Sequence, residues 1–331
     1  MMKCVPVKWH ELAEEVVAGG ALSRDDALAV LKSSDDELLA VLNAAFRVRR
    51  RYFGRKVNLH VIRNAKSGGC SEDCAFCSQS AVSTSPIDSY PMVSADQLVA
   101  GARGAWQVGA VKYCMVTSGR CPSENVLAVV CEAARRITAE MPIRLCGSLG
   151  TLTDAQARQL KAAGLTRYNH NLETARRFFP QICSTHTWDE RVATVRRARA
   201  AGLEACCGGI LGLGETLEDR VDLAFALRDL RAEAIPINLF NPRQGTPLAS
   251  RTQLSAAAGL KAMAMFRLVN PKAELRAAGG REACLGAMQS LALFAVNSIF
   301  TQGYLTTPGQ GESKDLAMLA EAGFEVGQIE G

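Results

Sequence analysis

Residues 111–147 read VKYCMVTSGRCPSENVLAVVCEAARRITAEMPIRLCG, and the order of elements in this stretch decides the fold. Val111–Val116 is a short strand-like run. Ser123 then stands as an N-cap before a helix-like segment over residues 124–139, and Ile143–Gly147 is strand-like again. The same alternation continues on both sides of this unit. Strand candidates are Val57–Ile62, Val111–Val116, Ile143–Gly147, Thr166–Asn171, Leu203–Cys207, Ile235–Phe240, Ala273–Ala277 and Asn297–Thr301. Helix-like segments lie near residues 94–108, 124–139, 153–163, 188–201, 216–231, 253–268, 280–293 and 313–322. Ser94, Ser123, Thr153 and Thr216 stand at cap positions, Thr216 with Asp219 in capping-box spacing, and Gly109, Gly164 and Gly202 close helices. Eight strands alternating with eight helices predict an α/β fold, a (β/α)8 TIM-type barrel over 53–325. An N-terminal helical extension (1–52) precedes it and a short tail (326–331) follows. A doubly wound open sheet is the competing architecture, since a count of elements does not reveal closure.

At 331 residues the chain has the length of one such barrel. Its net charge of +5, from 38 basic and 33 acidic residues, is mild. Arg47, Arg49, Arg50, Arg51 and Arg55 form a dense basic stretch that reads as a solvated helix face. Phe46, Tyr52 and Phe53 flank it without a nucleic-acid motif, so no nucleic-acid partner is expected. No apolar run has the length of a membrane span. The first twenty residues carry Glu11, Glu14 and Glu15 in an amphipathic pattern rather than that of a secretory leader. Twelve cysteines in such a chain point to metal or redox chemistry and a cytoplasmic location.

Cys70, Cys74 and Cys77 lie in Gly-Gly-Cys-Ser-Glu-Asp-Cys-Ala-Phe-Cys-Ser-Gln, spaced Cys-x3-Cys-x2-Cys. Three thiolates fill three corners of a [4Fe–4S] cluster and leave one iron open to a ligand that is not protein. An electron-transfer cluster or a structural Cys4 zinc site wants four. The spacing therefore suggests a cluster that does chemistry. A zinc site with a distant fourth ligand competes, although no histidine lies nearby in zinc-finger spacing.

The strands carry a second signal. Barrel interiors are usually packed with bulky aliphatics, yet these strands hold Cys114, Cys146, Asn169, Asn171, Cys206, Asn238 and Arg276. Asn169 and Asn171 share a face; His170 points the other way and reads as a satisfied structural histidine. A buried arginine needs an anionic partner, and Arg276 could find it in a carboxylate, a phosphate or an iron–sulfur core held by the three cysteines. On the residues alone, a second cluster and a set of cysteines packed as small hydrophobes both stay open. Gly208–Glu215 lacks a dinucleotide fingerprint and the lysine of a phosphate loop, and reads as a tight turn between strand and helix. Thr306 and Thr307 follow the last strand, where hydroxyls and amides could hold a carboxylate or form an ordinary turn.

At these residues the chain resembles the biotin synthase family of the radical S-adenosylmethionine superfamily. The three-cysteine motif with Phe76 carries the superfamily likeness. The narrower likeness lies in Tyr168–Glu173, Gly208–Thr216, Pro236–Asn238, Gly245–Pro247, Asn297–Phe300 and Leu305–Thr307. It runs from about residue 40 to 325. The resemblance implies that Cys70, Cys74 and Cys77 hold a [4Fe–4S] cluster whose open iron chelates S-adenosyl-L-methionine. Reductive cleavage would then give a 5′-deoxyadenosyl radical that takes hydrogen from dethiobiotin. An auxiliary iron–sulfur cluster held by Cys114, Cys146, Cys206 and Arg276 would donate the sulfur of biotin. The resemblance further assigns Asn169, Glu173 and Arg191 to S-adenosylmethionine, and Asn171, Asn238, Thr306 and Thr307 to dethiobiotin. It implies a homodimer and an external electron donor of flavodoxin or ferredoxin type.

Two departures from the family pattern matter. Glu173 stands where aspartate is common, and Cys207 follows Cys206 where serine is common. Adjacent strand residues point to opposite faces, so Cys207 is expected outside the barrel beside a [2Fe–2S] auxiliary cluster. If a bulge let both face inward, a four-iron auxiliary cluster with a different sulfur source would become possible. Cys183 and Cys284 receive no role. The alternatives are a hydrogenase-maturation or methylornithine-forming radical enzyme, which need not keep the strand-borne set, and a non-catalytic iron–sulfur or zinc protein.

Overall fold

The computed structural model describes residues 7–328. The first six residues of the expected extension and residues 329–331 of the expected tail lie outside the described residues. Three helices come first: α1 (Val7–Val17), α2 (Arg24–Lys32) and α3 (Leu38–Phe53). The strands are β1 (Lys56–Lys66), β2 (Lys112–Thr117), β3 (Arg144–Ser148), β4 (Arg167–Asn169) and β5 (Glu204–Cys206). They continue with β6 (Gly209–Leu211), β7 (Ala234–Leu239), β8 (Glu274–Ala277), β9 (Ser298–Thr301) and β10 (Glu325–Val326). Between them run α4 (Ala95–Gln107), α5 (Glu124–Glu140), α6 (Asp154–Ala162), α7 (Trp188–Ala200), α8 (Leu217–Asp229) and α9 (Ala256–Val269). The last helices are α10 (Arg281–Leu285), α11 (Gln289–Ala292) and α12 (Glu312–Glu321).

The named strands pair in parallel, and β1 bonds to both β2 and β9. That double pairing closes the barrel and excludes the open sheet. Cys206 of β5 sits opposite Ala234 of β7, and Gly209 of β6 opposite Ile237. Both intervals are three residues, so β5 and β6 are one strand interrupted at Cys207–Gly208. The barrel therefore has eight staves. The glycine-rich segment expected to be a turn is in part this strand. Outside the barrel, β10 pairs Val326 with Val57, so the expected tail begins inside a strand. The helix expected over 280–293 is broken, because Gly286, at φ 50°, ends α10 ahead of a short 3-10 turn.

Period-two alternation divides each stave between two environments. Leu59, Val61, Tyr113, Met115, Leu145, Tyr168, Ala205, Ile235, Leu275 and Ile299 face outward and pack in one core with the helices. At about 25 cal/mol per Å² of apolar surface removed from water, this sleeve is the main source of stability. The residues between them face inward and are largely polar. The helices start where sequence chemistry places them: the hydroxyls of Ser94, Ser123, Thr153 and Thr216 each accept the N–H three residues on. Thr187 and Ser255 do the same for α7 and α9.

Of the N-terminal helices, α2 packs on α8 and α9, α3 packs on α9, and α1 lies against α3. Arg49 corrects the expectation of a solvated basic face. It is fully buried and donates to Val296 O (2.8 Å), Lys56 O (2.8 Å) and Gly54 O. Three backbone carbonyls hold it because an arginine's fork of donors satisfies strand starts that helix side chains seldom reach.

Candidate active site

A cavity of about 430 Å³ opens at the C-terminal ends of the staves, the face where barrel ligands bind. All three loop cysteines and all three strand cysteines line it, together with Arg276. So do Asn169, Asn171, Glu173, Arg191, Asn238, Thr306 and Thr307. Two layers are distinguishable.

The upper layer hangs on the loop after β1. Gly68 N–H donates to Gln79 Oε1 (3.0 Å), and Cys77 N–H donates to Cys74 O (3.1 Å). Ala75 N–H bonds to Ile182 O (2.8 Å), and the Asp73 carboxylate accepts from the backbone and side chains of Ser184 and Thr185. The cysteine loop is thereby tied to segment 182–186. Burial pushes the Cys77 thiol up to about 11. The hydrogen bond that Cys74 donates to Cys183, and then burial, hold the Cys74 proton on still more firmly. Metal binding must displace such protons.

Beside the loop, Arg191 Nη1 donates to Asn171 O (2.8 Å) and lies 3.5 Å from Glu173 Oε1. Glu173 has φ 66°, in the left-handed region that few side chains other than Asn and Asp adopt. It is held there because its N–H reaches Gly208 O (3.2 Å) and its carbonyl accepts from Ile210 N–H (2.8 Å). Burial raises the pKa of its carboxyl against the pull of Arg191. Asn171 Oδ1 accepts from Gly208 N–H (3.1 Å) and from Asn169 Nδ2 (3.2 Å). Gly208 has to be glycine: a Cβ there would stand 1.9 Å from Pro236 O. Asn238 is fixed at both ends of its amide, by Gly209 O (3.1 Å) and Gly279 N–H (2.9 Å).

The deeper layer is strand-borne. Cys114 and Cys146 are register partners on β2 and β3, and Cys206 of β5 stands opposite Asn169 of β4. Asn169 Nδ2 (3.2 Å) and Arg276 Nη1 (3.7 Å) donate to Cys206 Sγ. The guanidinium of Arg276 stacks on Phe300 at 4.8 Å, and its Nε has no hydrogen-bond partner. Three convergent thiols facing a cation with an unused donor are the donor set of an anionic metal–sulfur group, and these residues fit one. The Cys114 thiol raises Cys146 against an opposing pull from Cys206, the Cys146 thiol raises Cys206, and burial adds to both.

Beneath this layer lies a charged floor that sequence reasoning missed. Glu274 Oε1 accepts from Arg276 Nη2 (2.5 Å) and lies 3.0 Å from His60 Nε2. Its Oε2 meets Arg167 Nη1 (3.2 Å) and Lys112 Nζ (3.6 Å). All five are buried. Burial works against the charge on Glu274, but Arg167, His60 and Arg276 outweigh it and its pKa falls well below the usual range. Glu274 is thus the carboxylate partner that Arg276 required. A signal for this layer exists: Lys112, Arg144, Arg167, Glu204 and Glu274 each precede by two an inward Cys, Asn or Arg.

Two further residues differ from expectation. His170 does not turn away satisfied; it is buried, lines the cavity and has an unpartnered Nε2. Burial, then Arg191, keeps it neutral with a pKa well below 6.5. Cys207 packs in the outer hydrophobic sleeve rather than in the cavity. Cys284 bonds Leu254 O (3.3 Å) away from the site, and Cys183 packs against Cys74 at 3.9 Å.

Residues 65–227 match the model of the radical SAM superfamily, and residues 236–325 match that of the biotin and thiamin synthesis associated domain. The biotin synthase of Salinibacter ruber is 56% identical over 317 residues, covering 96% of this chain and 88% of its own length. The chain belongs to the biotin synthase family. A second member, from Halalkalibacterium halodurans, is 46% identical with 98% of this chain and 97% of its own covered. Among solved structures, methylornithine synthase superposes with a TM-score of 0.85 at 20% identity, covering 96% of this chain and 98% of that one. A FeFe-hydrogenase maturase from Carboxydothermus hydrogenoformans gives 0.80 at 17%, with 96% and 78% covered. At such identities these two show the fold alone. Family membership implies a [4Fe–4S] cluster and S-adenosylmethionine as cofactors. Among the described residues no helix is long and apolar enough to cross a membrane.

Proposed function

We infer that this chain converts dethiobiotin to biotin by radical sulfur insertion. The observation that carries the reading is the presence, in one cavity, of an open three-thiol loop and a deeper set of three strand cysteines with Arg276. A radical generator alone needs only the first. When bound, the cluster and S-adenosylmethionine supply a carbon radical able to take hydrogen from unactivated carbon, and the auxiliary cluster supplies sulfur.

The chain's own residues bind, orient and exclude water. Cys70, Cys74 and Cys77 hold the [4Fe–4S] cluster. Asn169, Glu173 and Arg191 hold S-adenosylmethionine, for which the Glu173 carboxylate and the Arg191 guanidinium offer an acceptor and a donor side by side. Asn171, Asn238, Thr306 and Thr307 hold dethiobiotin; the fixed amide of Asn238 presents one acceptor lone pair and one N–H to a ureido ring. Cys114, Cys146, Cys206 and Arg276 hold the auxiliary cluster, and the outward position of Cys207 supports the [2Fe–2S] form over a four-iron one. Enclosure by the barrel keeps solvent from the reacting carbon. Eleven described cysteines without a disulfide support a reducing, cytoplasmic setting. A homodimer and a flavodoxin- or ferredoxin-type donor complete the proposal.

The test is anaerobic reconstitution with iron and sulfide, followed by reduction in the presence of S-adenosylmethionine and dethiobiotin. Biotin formed without an added sulfur donor is the expected result. Cleavage of S-adenosylmethionine with no biotin would overturn sulfur insertion.

A further inference from the structure

Cys183 is buried beside the cysteine loop, and the function proposed above gives it no task. Its Sγ is 3.9 Å from Cys74 Sγ, and 3.4 and 3.7 Å from Nδ1 and Nε2 of His186. One donor atom from each of Cys74, Cys183 and His186 lies within 4.8 Å of the other two. Two thiolates on one tetrahedral ion with bonds of about 2.3 Å stand about 3.8 Å apart, and a thiolate and an imidazole nitrogen about 3.5 Å. The observed separations put the three donors within reach of a single ion, toward which the imidazole would have to turn its Nε2. Thiolates on different irons of a cluster stand farther apart.

The surroundings are those of a metal-bound histidine. His186 Nδ1 is 2.5 Å from Glu72 Oε2, the carboxylate–histidine pairing that fixes the tautomer and leaves Nε2 free to ligate. Arg191 Nε now occupies Nε2 at 3.0 Å and would swing off it. Asp73 Oδ1, 3.2 Å from Cys183 Sγ, is within reach of the fourth position. Two sulfurs, a nitrogen and an oxygen suit zinc better than a hard cation.

We propose that the cluster-free chain binds one zinc-class ion between Cys74, Cys183 and His186, and that this ion blocks cluster assembly on the Cys70–Cys74–Cys77 loop. Binding releases the two thiol protons to solvent. The blockade follows because Cys74 cannot serve both metals. It rests on the proposed role of Cys74 in the cluster, whereas the zinc affinity does not.

Full-length protein freed of iron and sulfide is titrated anaerobically with Co²⁺, whose bands report tetrahedral sulfur coordination, and the cobalt is then displaced by Zn²⁺. Every variant is compared with the parent, so that the strand thiols cancel. Cys183→Ser and His186→Asn, on two different residues, should each weaken zinc by about tenfold or more, while Cys70→Ala should leave it within about twofold. Zinc-loaded parent should then fail to take up the loop cluster on reconstitution, and Cys183→Ser should take it up in the same zinc. Unchanged zinc affinity in both variants overturns the site. Loss in Cys70→Ala equal to that in Cys74→Ala overturns it too, by placing the ion on the three-cysteine loop. Tight zinc that leaves cluster uptake unaffected overturns the blockade, and leaves sulfur insertion to be judged by the reconstitution assay alone.

Discussion

The two sets of thiols in the cavity are built in opposite ways. Cys70, Cys74 and Cys77 come from eight consecutive residues on a loop, which is anchored by side chains such as Asp73 and Gln79. Cys114, Cys146 and Cys206 come from three separate staves and are aligned by parallel register, over a floor where Glu274 gathers His60, Lys112, Arg167 and Arg276. A loop presents its donors from one side and leaves the other open. Staves present theirs toward one another and can set a cation against them. One construction suits a metal that must accept a ligand, the other a metal that must be enclosed.

Substitutions separate the two sets. The largest effect is expected of Cys70→Ala, which should bring both S-adenosylmethionine cleavage and biotin formation down by about a thousandfold or more in a single-turnover assay. Cys114→Ala should split them: biotin formation falls by roughly a hundredfold or more while cleavage stays within several-fold. A parallel loss of both activities in Cys114→Ala would erase the division of labour. Glu274→Gln strikes the floor, where removing one partner of a buried ion pair costs about 3–5 kcal/mol. Its denaturation midpoint should drop accordingly, and sulfur insertion should suffer before cleavage does.

A pH effect of smaller size originates in the same floor. Burial, then Arg276, pushes His60 down to about 3 in the folded chain, against about 6.5 when unfolded. The unfolded chain therefore takes up a proton that the folded one refuses. This contribution is whole above pH about 6.5 and fades as pH falls toward 3, by at most about 1.4 kcal/mol per pH unit. Denaturant midpoints measured down to about pH 4 should show that slope, and His60→Asn should flatten it. The mildest change is Glu173→Asp. Aspartate tolerates the left-handed backbone at this position, so the KM for S-adenosylmethionine should move by about fivefold or less, near 1 kcal/mol.

Much of this was legible in the sequence, and the exceptions have physical reasons. The staves announce themselves through outward apolar residues such as Leu145 and Ile235, and the helices through Ser and Thr caps. Closure was not legible, because the β1–β9 pairing joins residues some 240 positions apart. Neither was β6: glycines at 208 and 209 mimic a turn, yet they are there because Pro236 O and Glu173 O come close to their Cα atoms. The loop cysteines could be read from spacing, since one loop holds all three. Most of the floor could have been read by stepping back two residues from Cys114, Asn169 and Arg276, to Lys112, Arg167 and Glu274, whereas His60 precedes Ile62 and gives no such signal. The Cys74–Cys183–His186 cluster could not, because no periodicity relates residue 74 to residue 183. Arg49 misled for a related reason: a buried arginine and a solvated one look alike within a basic run.

The interruption of the fifth stave has a mechanical consequence. At Gly208 the N–H bonds to a side chain, Asn171 Oδ1, where a neighbouring stave would ordinarily offer a carbonyl. Asn171 is thereby a rung of the sheet as well as a wall of the cavity. Swinging it toward or away from a bound molecule would cost the hydrogen bonds from Gly208 N–H and Asn169 Nδ2. The amide is thus tied to the sheet whose cavity it lines, and a ligand meets it already oriented.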